Sequence, residues 1–148
     1  MLPNEIMISV IDGQGGGIGK SIIGKLRKLI EKDRGIVICA LGTNSTATNN
    51  MIKAGADMGA TGENAIRQTV GKSDIILGPI AIIAANSMLG ELTPVMAEAV
   101  SSCQAMKILI PLNRCNIMIA SQPNNTTENY IDYSVRMVMD YLSKAVSE

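Results

Sequence analysis

Apolar residues in this chain fall into two kinds of stretch: short, nearly continuous runs, and longer ones in which they recur at helical spacing. Ile6 to Ile11 (I-M-I-S-V-I) is of the first kind and predicts a strand buried on both faces, as in a parallel sheet. Ile18, Ile22, Leu26, Leu29 and Ile30 are of the second kind, with Lys20, Lys25, Arg27, Lys28 and Lys32 filling much of the rest. They predict an amphipathic helix ending near Gly35. Ile36 to Leu41 predicts a second strand, after which Thr43, Asn44 or Ser45 caps a helix reaching Ala54, with Gly55 as its stop. The following A-G-A-D-M-G-A-T-G-E-N reads as a glycine-rich loop, and Glu63 to Val70 as a short helix closed by Gly71.

Asp74 to Leu77 predicts a third strand, broken by Gly78-Pro79. Thr93-Pro94 starts a helix running to about Gln104, as cap and first-turn proline. Lys107 to Ile110 predicts a fourth strand, and Asn116 to Ala120 a short fifth one, close enough to pair antiparallel through a hairpin. Ser121 to Thr127 is a polar, exposed loop. The last helix places Ile131, Val135, Val138, Leu142 and Ala145 on one face, with Asp132–Arg136 and Asp140–Lys144 spaced as supporting ion pairs. Strands alternating with helices predict one α/β domain over residues 1–148, three-layer and Rossmann-like, with a mainly parallel sheet of about five strands and an antiparallel strand at one edge.

The connection after the first strand is unusual. Five of the seven residues from Gly13 to Gly19 are glycine, within D-G-Q-G-G-G-I-G-K-S. Glycine loses the most freedom on folding, so such a run needs a reason. Between a buried strand and an amphipathic helix, a bare backbone lets a phosphate reach the unpaired N–H groups of the helix start. The candidate ligand contacts are therefore Asp12, Gly13, Gln14, Gly15, Gly16, Gly17, Ile18, Gly19 and Lys20, with Lys20 adding positive charge. If the run were purely a structural turn, a Gly17→Ala change would lower stability and leave ligand affinity alone.

Several motifs overlap here. As a P-loop, G-x-x-x-x-G-K-[ST], Gly19-Lys20-Ser21 fit, but Gln14 stands where the first glycine belongs, and no later strand ends in Asp for magnesium. As G-x-G-x-x-G, Gly13 and Gly15 fit, but Ile18 takes the third place. The short-chain dehydrogenase pattern G-x-x-x-G-I-G fits at Gly13, Gly17, Ile18 and Gly19. A dinucleotide site also wants an acid at the end of the second strand for the ribose hydroxyls, and that place reads Gly42-Thr43-Asn44. A Tyr-x-x-x-Lys pair is missing too, Tyr141 and Lys144 being one residue too close, so hydride transfer of that type is not expected. Asp12 either braces the turn by accepting backbone N–H bonds or serves as a magnesium ligand or general acid/base.

Ligands of open α/β sheets bind outside the carboxyl ends of the strands. That rule adds Thr43, Asn44, Gly78, Pro79, Asn113 and Arg114, and the polar groups Glu63, Asn64, Asn86 and Glu91 stand in apolar surroundings. Among these last, Glu63 and Asn64 are favoured, because the glycine-rich loop precedes them.

Composition narrows the chemistry. There is no His, which removes His bases, His-dependent triads and His metal ligands. Thirteen basic and thirteen acidic side chains cancel, and three Tyr with no Trp or Phe give no stacking platform, so neither nucleic acid nor a membrane is expected as partner. The longest apolar run, Ile75 to Ala85, is too short to span a bilayer. Cys39, Cys103 and Cys115 form no C-x-x-C pair and read as reduced cysteines of a cytoplasmic protein, Cys115 beside Arg114 being the one to test for reactivity. The N-terminal M-L-P-N-E carries no export signal. A small, apolar, near-neutral domain also makes a homo-oligomer an expectation.

Taken together, V-I-D-G-Q-G-G-G-I-G-K (10–20), A-L-G-T-N (40–44), A-T-G-E-N-A-I (60–66), G-P-I (78–80), A-N-S-M-L-G-E-L-T-P (85–94) and I-L-I-P-L-N-R-C-N-I (108–117) resemble a family of small bacterial proteins, mainly from anaerobic Firmicutes, known as a domain of unknown function. The resemblance implies a bacterial cytosolic protein with a Rossmann-like fold and brings no reaction with it. The residues themselves point to a phosphorylated small-molecule ligand: NAD(P), another nucleotide, or a related compound. Whether it is turned over, sensed by a regulatory module, or hydrolysed by a deviant P-loop NTPase is left open.

Overall fold

The computed structural model of the chain describes residues 5–112, 116–121 and 124–145. Five strands form one parallel sheet: β1 Ile6–Asp12, β2 Ile36–Gly42, β3 Met58–Thr61, β4 Ile75–Pro79 and β5 Met106–Ile110, in the order β3-β2-β1-β4-β5. Helices α1 Gly17–Leu29, α2 Ser45–Lys53, α3 Glu63–Val70, α4 Pro94–Ser102 and α5 Thr127–Ala145 connect and flank them. A short 3₁₀ turn, Ile80–Ile83, and a left-handed turn, Met88–Gly90, follow β4.

The sheet is covered on both faces, which explains why its central strands lack the alternation of a half-exposed strand. Ile8 and Val10 of β1 face a core shared with Ile22, Ile23 and Leu26 of α1 and with Val135 and Val138 of α5. Met7 and Ile11 face the opposite core, with Ile66 of α3 and Met96 and Val100 of α4. Local signals set the helix starts. Asn44 accepts from the Ala47 N–H at 2.9 Å, and Thr93 accepts from the Met96 N–H with Pro94 following. Among the described residues no helix is long and apolar enough to cross a membrane.

Three expectations change. The fifth strand is Met58–Thr61, inside the segment read as loop; its residues are mostly exposed and include Gly59 and Ala60, and its pairing with β2 from Cys39↔Met58 to Gly42↔Thr61 makes it a strand. Residues 117–120 form no antiparallel strand; Met118 is exposed and Ile117 is used to line a cavity described below. The ion pairs expected within α5 are replaced: Asp132 bonds Lys25 of α1, and Arg136 lies 5.5 Å over the Tyr133 ring. No ion pair joins Asp140 and Lys144. Cys39 is buried, and burial pushes its thiol up to about 11 despite a hydrogen bond with Ser9, which makes it a packing residue. Cys115 lies outside the described residues.

Candidate functional site

The chain leaves β1 toward β2 and β3 on one side and takes up β4 and β5 on the other, so the order reverses between β1 and β4. Crevices open at the carboxyl ends of strands where such a reversal occurs. Here a cavity of about 310 Å³ opens at that place, lined by Asp12 and Gly13 at the end of β1, Ile18 of α1 and Pro79 at the end of β4. Met88, Leu89, Leu112 and Ile117 add apolar surface. A wider groove of about 960 Å³ lies between α1 and α5, but it is open, bordered by ion-paired Lys25 and by exposed Lys28 and Arg136, and away from the strand ends.

Asp12 is 5% exposed and braces the turn. Its Oδ1 accepts from the Gly13 N–H and its Oδ2 from the Gly19 N–H, each at 2.8 Å. The carboxylate therefore satisfies one amide of the turn and one of the first turn of α1, the place where a negative charge is most stabilised. Gly13 O accepts from Gly16 N–H at 2.9 Å, and the carbonyls of Gln14 and Gly15 are held by Nδ2 of Asn44 and Asn50, both at 2.9 Å. With Gln14 N–H donating to Glu91 and Lys20 N–H to Gly16 O, the amides of Gly15, Gly17 and Ile18 have no partner among the described residues.

The five glycines have different reasons. At Gly13 a Cβ would lie 2.5 Å from both Met88 Sδ and Thr43 Oγ1. Gly16, the N-cap of α1, has φ of 68° and would put a Cβ 2.8 Å from Ala47 Cα. At Gly19 the Cβ would lie 2.4 Å from Met51 Sδ and 3.0 Å from Asp12 Cβ. These three are required by packing within the chain. Gly15 and Gly17 are exposed, neither has a positive φ, and a Cβ on either would meet nothing within 4 Å. The stability loss that a purely structural turn would imply for Gly17→Ala has no contact at Gly17 behind it.

Glu91, from the connection between β4 and α4, ties the strand ends together. Its Oε1 accepts from Gln14 N–H at 3.2 Å, Thr43 Oγ1 at 3.0 Å and Asn44 Nδ2 at 2.5 Å. Burial raises the pKa of this carboxyl, but the bonds from Asn44, Thr43 and Gln14 outweigh it and hold the group below its ordinary value. The segment carrying it is strained: Asn86, Met88 and Leu89 have φ of 63°, 56° and 56°, and Leu89 is 98% exposed at the mouth of the cavity. Such outliers cost about 1–3 kcal/mol each and collect where the surroundings over-determine them.

The other expected residues are placed as follows. Gln14 lines the cavity; Thr43, Asn44 and Glu91 do not, but Asn44 bonds the Gln14 carbonyl and both Thr43 and Asn44 are engaged with Glu91. Gly78 packs beneath the crevice, where a Cβ would meet Ile11 O at 2.3 Å. Lys20 is exposed and borders, together with Gly17, Ser21, Gly24 and Lys28, a shallow groove outside the crevice. Glu63 accepts from Thr93 Oγ1 at 2.6 Å and so joins α3 to α4, and Asn64 is exposed beside it. Neither lines the crevice. Asn86 lies in the strained turn, bonded through its N–H to Leu92 O. Asn113 and Arg114 lie outside the described residues. Met88, Leu89, Leu112 and Ile117 were not singled out by sequence, since apolar residues in connections carry no motif; the one signal was the N-S-M-L-G-E string itself.

The chain belongs to the family described as a domain of unknown function, DUF3842, whose model matches residues 7–143. No curated protein matches it. Among solved structures it is similar to a dodecameric FMN-dependent UbiX-like decarboxylase from Escherichia coli O157:H7, at 14% identity over 93% of this chain and 94% of that one, with a TM-score of 0.47. A likeness at that level says nothing of ligand or reaction.

Proposed function

We propose that this member of DUF3842 binds a nucleotide, dinucleotide or other phosphorylated small molecule at the carboxyl edge of its sheet. The anionic group sits before the amides of Gly15, Gly17 and Ile18, and the apolar part enters the crevice between the ends of β1 and β4. One observation carries this reading: Gly15 and Gly17 have no reason to be glycine inside the chain, while the space in front of them adjoins unpaired amides. Glycine at such positions gives a ligand close access to backbone, and amides at a helix start favour negative charge. A cavity of about 310 Å³ lies at the lower end of the range of small-molecule sites.

A binding or regulatory role without turnover fits better than catalysis. Asp12 is the one ionisable side chain among the described residues that line the crevice, and both its oxygens are engaged in bracing the turn. The P-loop NTPase alternative wants a strand ending in Asp beside the loop to hold magnesium, and β2, β3, β4 and β5 end in Gly42, Thr61, Pro79 and Ile110. The test is thermal shift against NAD, NADP, FAD, FMN, ATP, GTP and S-adenosylmethionine, with and without magnesium, on the wild type and on Gly17→Ala. Specific ligand raises the melting temperature of the wild type by mass action. Gly17→Ala melts at or slightly above the ligand-free wild type and loses that rise. The reading is overturned if no phosphorylated compound stabilises the wild type, or if Gly17→Ala responds as the wild type does.

A further inference from the structure

The end of β2 lacks the acid that dinucleotide folds use to hold ribose hydroxyls, since it reads Gly42-Thr43-Asn44. The fold brings one there from elsewhere. Glu91, 48 residues from Thr43 and 77 from Gln14, puts its carboxylate within 3.2 Å of groups from both the glycine turn and the end of β2. We propose that Glu91 receives the hydroxyls of a ribose, and that the ligand is a nucleotide with a free 2′,3′-diol rather than a 2′-phosphate. This inference rests on the nucleotide reading above.

Three features support the assignment. Oε1 is saturated by three donors, which locks the carboxylate in place, while no described hydrogen bond uses Oε2. An ionised carboxylate offers only acceptors, so the ligand group it suits is a donor such as a hydroxyl. Its charge repels a phosphate placed at Oε2 itself, such as a 2′-phosphate. The outcome is a division of the site, with phosphate at Gly15, Gly17 and Ile18 and diol at Glu91. The depressed pKa keeps the carboxylate charged at neutral pH, consistent with that division.

The substitution that isolates Oε2 is Glu91→Gln. The amide oxygen can keep the three donors now on Oε1, while Oε2 becomes an NH₂ donor, so the strand ends stay joined. Titrations of NAD, NADP, ADP and 2′-deoxy-ADP against the wild type and Glu91→Gln, read by calorimetry, with melting temperature and circular dichroism checking the fold, test the inference. The wild type should bind NAD over NADP, and ADP over 2′-deoxy-ADP, by about tenfold or more, the size of one charge-assisted hydrogen bond. Glu91→Gln should reduce both preferences to near unity, with NADP gaining relative to NAD. If the wild type binds these nucleotides without distinguishing the 2′ position, or if Glu91→Gln keeps the full preference, the diol assignment is wrong while nucleotide binding stands. If none binds at all, the nucleotide reading falls with it.

Discussion

Adjacent glycines at the start of α1 should respond to the same substitution with opposite sign. Gly16→Ala places a side chain at φ of 68° and a Cβ 2.8 Å from Ala47 Cα and 3.0 Å from Ala47 O, both backbone atoms of α2 that cannot step aside. A left-handed conformation costs an L-residue about 1–2 kcal/mol. Overpacking adds about 1–3 kcal/mol. The sum, about 2–5 kcal/mol, lowers the melting temperature of a chain this long by roughly 5–15 °C. Gly17→Ala meets nothing within 4 Å and lies in the first helical turn, where trading glycine for alanine gains about 0.5 kcal/mol. Urea unfolding of the two variants and the wild type, compared by midpoint at constant m-value, measures both changes. A loss for Gly17→Ala comparable to that of Gly16→Ala would refute the division of the glycines, and with it the claim that the space at Gly15 and Gly17 is kept for a ligand.

Three further outcomes follow from the same geometry. Asp12→Asn replaces one of two acceptors with a donor facing a backbone N–H, and should cost about 2–4 kcal/mol in chemical denaturation; a change under about 0.5 kcal/mol would show that the brace is dispensable. Glu91 has a folded-state pKa below its ordinary 4.5, so its contribution to stability is complete above that value and is lost as pH falls through the folded value. Any melting-temperature gap between wild type and Glu91→Gln should accordingly be small at pH 7, favour the wild type and close toward pH 3, and a gap that widens toward low pH would contradict it. Leu89→Gly relieves a left-handed residue whose side chain is 98% exposed, so it should be neutral or stabilising by up to about 1 kcal/mol while weakening any ligand that uses the cavity mouth. Loss of stability with unchanged binding would mean that Leu89 is held there for packing.

Much of the architecture was legible in the order of residues because its causes are local. Unbroken apolar runs mark β1, β2 and β4, which are buried on both faces, and Asn44 and Thr93-Pro94 mark helix starts by bonding amides three residues on. The glycine run was visible for the same reason, and with it a turn joining a buried strand to a helix. What depended on contacts between distant segments was not legible. β3 is a strand because β2 lies beside it, since its own four residues are mostly exposed and show no apolar run. Which glycines serve packing depends on Ala47, Met51 and Met88 standing opposite them. Glu63, favoured as a ligand contact, is drawn to Thr93, whereas Glu91, one polar group among several in the sequence, is carried to the end of β2, where the local sequence holds no acid. Propensity and capping act over a few residues and can be read along the chain; a crevice is assembled from strand ends and loops that meet only once the sheet has formed.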